Sequence, residues 1–420
     1  MQGQLRRTIS IPQGVALYVG AVLGAGVLLL PGLAASRAGP ASLVAWAFDC
    51  ALGVPLALTF AALAAHTPDA GGVSTYATRA FGGAVGTVVG WYYFVAAATA
   101  QALVALTGAY YVAPYLRLDR AETFALAAAV LLLATLANLW GLRVSGRLQL
   151  AFSGVVAVLL VLAIGTAIPR FHAAAWTPFA PHGTGAVGAV GVTVFFAFFG
   201  WEAISHLSEE FADPERAVPR STAISVGVIT VLYVGLAVAT VGTGTYGTGN
   251  DGTTVARLLS GSLGEAAGMV ASAVALAISL GTANAFVAAT SRLGYALARA
   301  GAFPSPLARV GGRGVPTVAV LVVGGWALAC LGVSYAAGWT ASTLLVVPNS
   351  LVILVYLSAT LAAARLFRGS RRVLALVATV MVAALVPFAG VVLVIPVAVA
   401  VLALGYRLTH GRRRSGPTTR

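Results

Sequence analysis

Lysine is absent from this 420-residue chain, so all 25 basic residues are arginine. Charge of any kind is scarce: 9% of residues are charged, against about 25% in a soluble domain. That shortage excludes an ordinary water-soluble fold. Cysteine is nearly absent too. Cys50 and Cys330 both sit inside apolar runs, which rules out a disulfide framework. Acids number 11 and form no ligand cluster, so neither a metal nor a cofactor is called for. The formal charge of +14 raises the question of nucleic acid. The arginines, however, lie in short connections between apolar runs, so no nucleic-acid partner is expected.

What is present is hydrophobic residue: 59% of the chain, with a mean hydropathy of +0.94. A membrane span needs about 20 apolar residues. Twelve candidates follow, at 12–35, 41–65, 84–113, 122–141, 147–168, 186–207, 219–242, 265–290, 315–335, 339–364, 373–388 and 391–408. The last two are short and are split by Phe388-Ala389-Gly390, so a single kinked hairpin is the alternative there. The N-terminal Arg6-Arg7 and its apolar run have the look of a signal peptide. The run is long and many spans follow it, so it reads as the first span. With the N-terminus in the cytoplasm, twenty arginines fall on the cytoplasmic side. Five (Arg37, Arg117, Arg120, Arg170 and Arg257) fall outside, completing the 25. This positive-inside bias supports an even number of spans, both termini in the cytoplasm and a multi-pass protein of the cell membrane. The tail after residue 410 carries Arg412-Arg413-Arg414. It reads as a topogenic stop signal rather than an anionic-lipid anchor.

Inside the first span stands Gly20-Ala21-Val22-Leu23-Gly24-Ala25-Gly26-Val27, followed by Pro31 and Gly32. Each glycine costs a helix interior about 1 kcal/mol relative to alanine. A helix broken at membrane depth is tolerated only against protein or a cavity. The sixth span has a second such place, Phe195-Phe196-Ala197-Phe198-Phe199-Gly200-Trp201-Glu202. Spans 1–5 and 6–10 start from opposite sides. Interrupted helices in corresponding places of two inverted units point to a transporter's binding site. The expected divisions are residues 1–168 and 169–366 as two inverted repeats, 367–410 as two further helices, and 411–420 as a basic tail.

The chemistry suits an amino acid. Amides at Ala25 and Gly26 open a half-helix and can hold a carboxylate. Carbonyls freed near Val22 and from Phe195 to Phe198 can hold an ammonium. Gly24 and Gly26 let a ligand approach the backbone. The alternative is that these glycines only let helices pack closely.

Gly20-x-x-Leu23-Gly24-Ala25-Gly26-Val27 resembles the first-helix motif of the amino acid–polyamine–organocation (APC) transporters. The resemblance continues through Pro68-x-Ala70-Gly71-Gly72-x-x-x-Tyr76, Phe198-x-Gly200-x-Glu202 and Asp213-Pro214-Glu215-Arg216-x-Val218-Pro219-Arg220. It recurs in Ser291-Arg292-x-x-Tyr295 through Pro304, with Ala308-Arg309-Val310 and Val315-Pro316 after it. Within that superfamily the chain is most similar to bacterial exporters of methionine and branched-chain amino acids. The resemblance implies an all-α polytopic protein with the LeuT-type 5+5 inverted repeat, twelve transmembrane helices, and helices 1 and 6 broken. It implies carboxylate binding at Ala25 and Gly26 and amine binding at the carbonyls of Val22, Phe196 and Phe199. Phe196 would be an aromatic gate and Glu202 a proton sensor. Two features depart from the pattern. Ala25 stands where many relatives have a hydroxyl, and a lysine that some relatives place in helix 5 is missing.

Glu202 is an acid at membrane depth, costly by about 3 kcal/mol and functional by default; it is the first candidate for proton coupling. Asp49, midway along the second span, is another candidate, with a structural hydrogen bond as its alternative. His206 is a third, one turn beyond Glu202 on the same face. Ser279, Thr282 and Asn284 in the eighth span are candidates for substrate or ion contact, and they also suit bonds within their own helix. Tyr92 and Tyr93 are candidate pocket walls. The phenylalanine run, with Phe195, Phe196, Phe199 and Gly200, suggests an apolar side-chain subsite.

The function expected is secondary active transport of neutral hydrophobic amino acids by alternating access. Proton-coupled efflux of methionine, leucine, isoleucine or valine is the specific expectation. An importer or exchanger of the same fold, for a cationic amino acid or amine, is the alternative. Only one acid lies at the breaks to balance such a substrate. A membrane enzyme would need clustered acids or a nucleophile with its base, and the acids at 209–215 lack that arrangement.

Overall fold

The computed structural model describes residues 9–66, 71–141, 146–202, 211, 213–247, 249, 251–312 and 314–411. Among them there is no strand, only an isolated bridge between Ile9 and Phe211. The helices are α1 Ile11–Val22, α2 Ala25–Ala38, α3 Ser42–His66, α4 Val73–Phe81, α5 Gly83–Leu116, α6 Arg120–Leu139, α7 Gly146–Ala167 and α8 Gly183–Val194. They continue as α9 Pro214–Gly242, α10 Thr254–Leu263, α11 Glu265–Arg299, α12 Thr317–Ala336, α13 Ala341–Leu344, α14 Val346–Leu366, α15 Gly369–Ala389 and α16 Val394–Gly411.

Nine helical stretches among the described residues are long and apolar enough to cross a membrane. Two of them, Gly26–His66 and Gly369–Thr409, are 41 residues each. At 1.5 Å per residue that is about 60 Å, twice the hydrocarbon thickness of a bilayer. Each holds two helices: α2 and α3 meet at the 3₁₀ turn Gly39–Ala41, and α15 and α16 meet at Gly390–Leu393. The doubt over a kinked hairpin near residue 390 resolves into two helices of 21 and 18 residues. Gly390 turns the chain at φ +56°, a conformation that favours glycine.

The sequence boundaries shift elsewhere. α11 continues to Arg299 rather than stopping at 290, and α9 begins at Pro214 rather than 219. Asp213 explains the earlier start: its carboxylate accepts from the Arg216 N–H at 3.4 Å, and proline suits the first turn. The short helices α4 and α10 are additional. α6 starts at a reciprocal cap, with Asp119 Oδ1 accepting from Glu122 N at 2.8 Å and Glu122 Oε2 from Asp119 N at 2.9 Å.

α5 runs through the middle of the bundle, packed against α4, α6, α11, α12, α14 and α16. Its buried face is rich in alanine, including Ala96, Ala97, Ala100, Ala102 and Ala105. Small side chains let neighbouring helices come close where no water drives them together. α3 lies against α9, α8 and α15. This packing sets both helix interruptions in the interior.

Candidate functional site

α1 stops at Val22, and Gly24, at ψ −153°, breaks the helical path before α2 starts at Ala25. The carbonyls at the end of α1 and the amides at the start of α2 are therefore without partners of their own helix. The second interruption follows α8. Phe195–Phe198 tightens to a 3₁₀ turn, Phe199 is extended, and Gly200 takes φ +137°. Only glycine enters that region at little cost. The two interruptions touch. A Cβ on Gly26 would lie 3.3 Å from the Ala197 Cα.

Three tyrosines from other helices answer the freed groups. The Tyr233 hydroxyl of α9 lies 2.8 Å from the Val22 carbonyl and 2.7 Å from the Ala197 carbonyl. A phenol has one hydrogen, so it donates to one of the two at a time. The Tyr356 hydroxyl of α14 lies 3.1 Å from the Phe198 carbonyl and donates to Glu202 Oε2. Tyr93 of α5 donates to Glu202 Oε1 at 2.8 Å. The Gly200 N–H is 3.1 Å from both Glu202 Oε2 and the Tyr356 oxygen. Glu202 thus ties the strained turn to α5 and α14. Asn349, at the start of α14, donates to the Val192 carbonyl of α8.

Aromatic rings complete the wall. Phe199 stands 5.7 Å from Tyr93, 6.0 Å from Phe196 and 5.7 Å from Phe286, centroid to centroid. Phe195 meets Tyr356 edge-on at 5.6 Å, and Phe198 meets Tyr233 at 5.3 Å. These spacings suit edge-to-face packing.

Val22, Gly24, Ala25, Gly26, Phe195, Phe196, Phe199, Gly200 and Glu202 thus belong to the two interruptions. Thr282 lies at a separate small cavity of about 20 Å³, with Gly20, Leu23, Phe152, Ser153, Val156, Ile278 and Gly281. Asn284 is not directed at the breaks alone: its Oδ1 accepts from Asn138 of α6 at 2.7 Å. Ser279 packs on α5, where a Cβ on Gly108 would come within 2.6 Å of its hydroxyl. Asp49 is fully buried, and neither carboxyl oxygen has a hydrogen-bond partner among the described residues. The bond to a neighbouring helix that its position suggested is absent from those residues. His206 lies outside the described residues. Tyr233 and Tyr356 escaped the sequence reading. The available signal was a tyrosine amid aliphatic residues at mid-span, since a buried phenol needs a partner.

Comparisons with known proteins identify the family. The family model described as "Amino acid permease" matches residues 9–408. The chain is 37% identical over 266 residues to the uncharacterized amino acid permease YecA of Bacillus subtilis, covering 63% of each chain. It is 33% identical over 255 residues to the L-methionine/branched-chain amino acid exporter YjeH of Escherichia coli, covering 58% of each. It is 28% identical over 250 residues to the branched-chain amino acid permease BcaP of Bacillus subtilis, covering 55% of this chain and 53% of that one. The matches thus span less than two thirds of each of these relatives. With a family match over nearly its whole length and two helices interrupted side by side, the chain belongs to the amino acid permease family, whose members are transporters and not enzymes.

Proposed function

We propose that this permease carries neutral, hydrophobic amino acids across the cell membrane by alternating access, exporting methionine, leucine, isoleucine or valine in exchange with protons. The observation that carries the reading is the contact between the two interruptions at Gly26 and Ala197. On this reading the amides of Ala25 and Gly26, the carbonyls of Val22 and Phe196 and the rings of Phe196 and Phe199 serve one substrate, which close approach of the two interruptions supports. Amides take a carboxylate, carbonyls take an ammonium, and rings take an apolar side chain. Gly24 and Gly200 keep the backbone open there. Glu202 and Asp49 are the buried acids able to carry a proton, with His206 as a relay beyond Glu202.

The architecture that goes with this reading is the LeuT-type inverted repeat of 5+5 helices. Residues 1–168 and 169–366 form the repeats, 367–410 adds two spans to make twelve, and 411–420 is a cytoplasmic basic tail. Both termini lie in the cytoplasm. The names of YjeH and BcaP support a branched-chain or methionine substrate, and YjeH supports the outward direction.

A second reading concerns the coupling ion. The cavity at Thr282 is lined by the Ser153 side chain and by the residues that end α1. Hydroxyl and carbonyl oxygens suit a small monovalent cation in place of the proton, and Thr282 would then serve the ion rather than the substrate.

Proteoliposomes loaded with labelled leucine or methionine test these readings. Efflux driven by a pH gradient is the expected result. No flux of any neutral amino acid overturns the substrate, and flux that follows sodium and ignores pH selects the second reading.

A further inference from the structure

The two buried acids have opposite surroundings. Glu202 receives hydrogen bonds on both oxygens: from Tyr93 on Oε1, and from the Gly200 N–H and Tyr356 on Oε2. Asp49 receives none among the described residues, though it is fully buried. The position of Asp49 follows from its own helix. Val44, Ala47, Ala51 and Val54 of α3 are exposed, whereas Trp46, Asp49, Gly53 and Phe60 form the opposite, buried stripe. Trp46 meets Tyr233 at 5.3 Å and Phe60 meets Tyr356 at 4.9 Å. A Cβ on Gly53 would lie 3.0 Å from the Phe198 ring. Asp49 sits between Trp46 and Gly53 on that stripe. It therefore lies on the face of α3 that packs on the second interruption and its tyrosines.

Among the described residues no cation accompanies it. α9 carries Arg216 and Arg220, but in its first turns; α14 carries Arg365 in its last turn. α15 begins with Arg371 and Arg372, and α2 ends with Arg37. His66 closes α3 itself. α8 and the 195–198 turn hold no charged residue. The remaining titratable neighbours among the described residues are Cys50, next in sequence, the Tyr356 hydroxyl given to Glu202, and Tyr233, whose one hydrogen serves the carbonyls of Val22 and Ala197.

A buried carboxylate without hydrogen-bond donors or cations cannot be sustained in an apolar interior; it takes up a proton instead. Glu202 has the donors that an ionised carboxylate needs. We propose that in this conformation the exchangeable proton of the transport cycle is held by Asp49, while Glu202 is the ionised lock of the second interruption. An O–H bond forms on Asp49 with a proton taken from water on one side of the membrane. That bond breaks, returning the proton to water on the other side, once α3 and the second interruption part. This rests on the proton-coupled reading above and assigns its two acids different roles.

Infrared spectroscopy on the purified full chain tests the proton's location. The carbonyl stretch of a buried protonated carboxyl is expected to shift when the protein carries ¹³C-labelled aspartate and to stay put with ¹³C-labelled glutamate. A shift with glutamate only, or no such band, overturns the proposal. No variant is needed, so misfolding does not confuse the result. In proteoliposomes, Asp49→Asn is expected to keep leucine counterflow while losing gradient-driven flux by about tenfold or more, within the usual range of a coupling energy. Glu202→Gln is expected to lower counterflow and gradient-driven flux by the same factor, because it loosens the second interruption without removing the exchangeable proton. Asp49→Asn that still follows the gradient, or that loses counterflow to the same extent, overturns the proposal. A wild type that moves no neutral amino acid refutes the substrate reading alone, because the infrared band still reports where the proton sits.

Discussion

The two interruptions are in contact, yet they are made of opposite materials. The first, between α1 and α2, is glycine and apolar residue, and it offers main-chain groups, with one tyrosine hydroxyl at the Val22 carbonyl. The second, from Phe195 to Glu202, is aromatic, and its polar groups are wired to Tyr93, Tyr233 and Tyr356. Under the proposed function the contrast separates two tasks. Carboxylate and ammonium are common to all amino acids, and main-chain amides and carbonyls suffice to hold them. Choosing among side chains, and responding to protons, requires side chains in return.

The sharpest way to break this comparison is Gly26→Val. Its Cβ would press on the Ala197 backbone, which cannot retreat as a flexible side chain can. Displacing one break from the other by about 1 Å is expected to lower transport about 100-fold, with the protein still monodisperse in detergent. Normal leucine flux in that variant would show that the contact is dispensable.

Tyr233→Phe comes next. It removes the one hydroxyl shared between the two breaks and leaves a buried carbonyl short of a donor, a cost of about 1–3 kcal/mol. Leucine affinity, measured by equilibrium binding, is expected to fall about tenfold. An unchanged affinity would mean that the breaks are held together by packing alone.

Phe196→Ala addresses the second break only. Each methylene lost from an apolar subsite changes discrimination by about 1–3 kcal/mol. The preference for leucine over alanine in competition assays is expected to shrink several-fold while alanine flux persists. A uniform loss for both substrates would place Phe196 in the common clamp instead.

The smallest effect is expected from Asn284→Ala. Its partner is Asn138 of α6, so the variant should lose about 1 kcal/mol of stability in a thermal melt and keep its affinity for leucine. A large loss of affinity would return Asn284 to the substrate site.

Both interruptions were legible in the sequence because their causes are local. Gly24 and Gly200 weaken helices wherever they stand, and four phenylalanines in five residues beside an acid are conspicuous in a membrane span. The ends of α9 and α11 were less so. Past the bilayer, apolar content no longer marks a helix, and caps such as Asp213 decide where it starts. Asn284 and Thr282 belong to one helix and differ by about half a turn, which sends them to different neighbours. Periodicity alone does not say which neighbour stands on which side.

Composition and the spacing of apolar runs determined that this chain is a multi-pass membrane protein, because partition into a bilayer depends on each segment's own residues. Glycine placement determined where two helices break, because backbone propensity is a short-range property. Only the tertiary structure decided which side chains answer the freed groups. Tyr233 reaches Val22 across 211 residues of sequence and Ala197 across 36. Tertiary packing alone also left Asp49 buried with no partner among the described residues while giving Glu202 three donors. A hydrogen bond is satisfied by position, and position here is set by how separate helices pack.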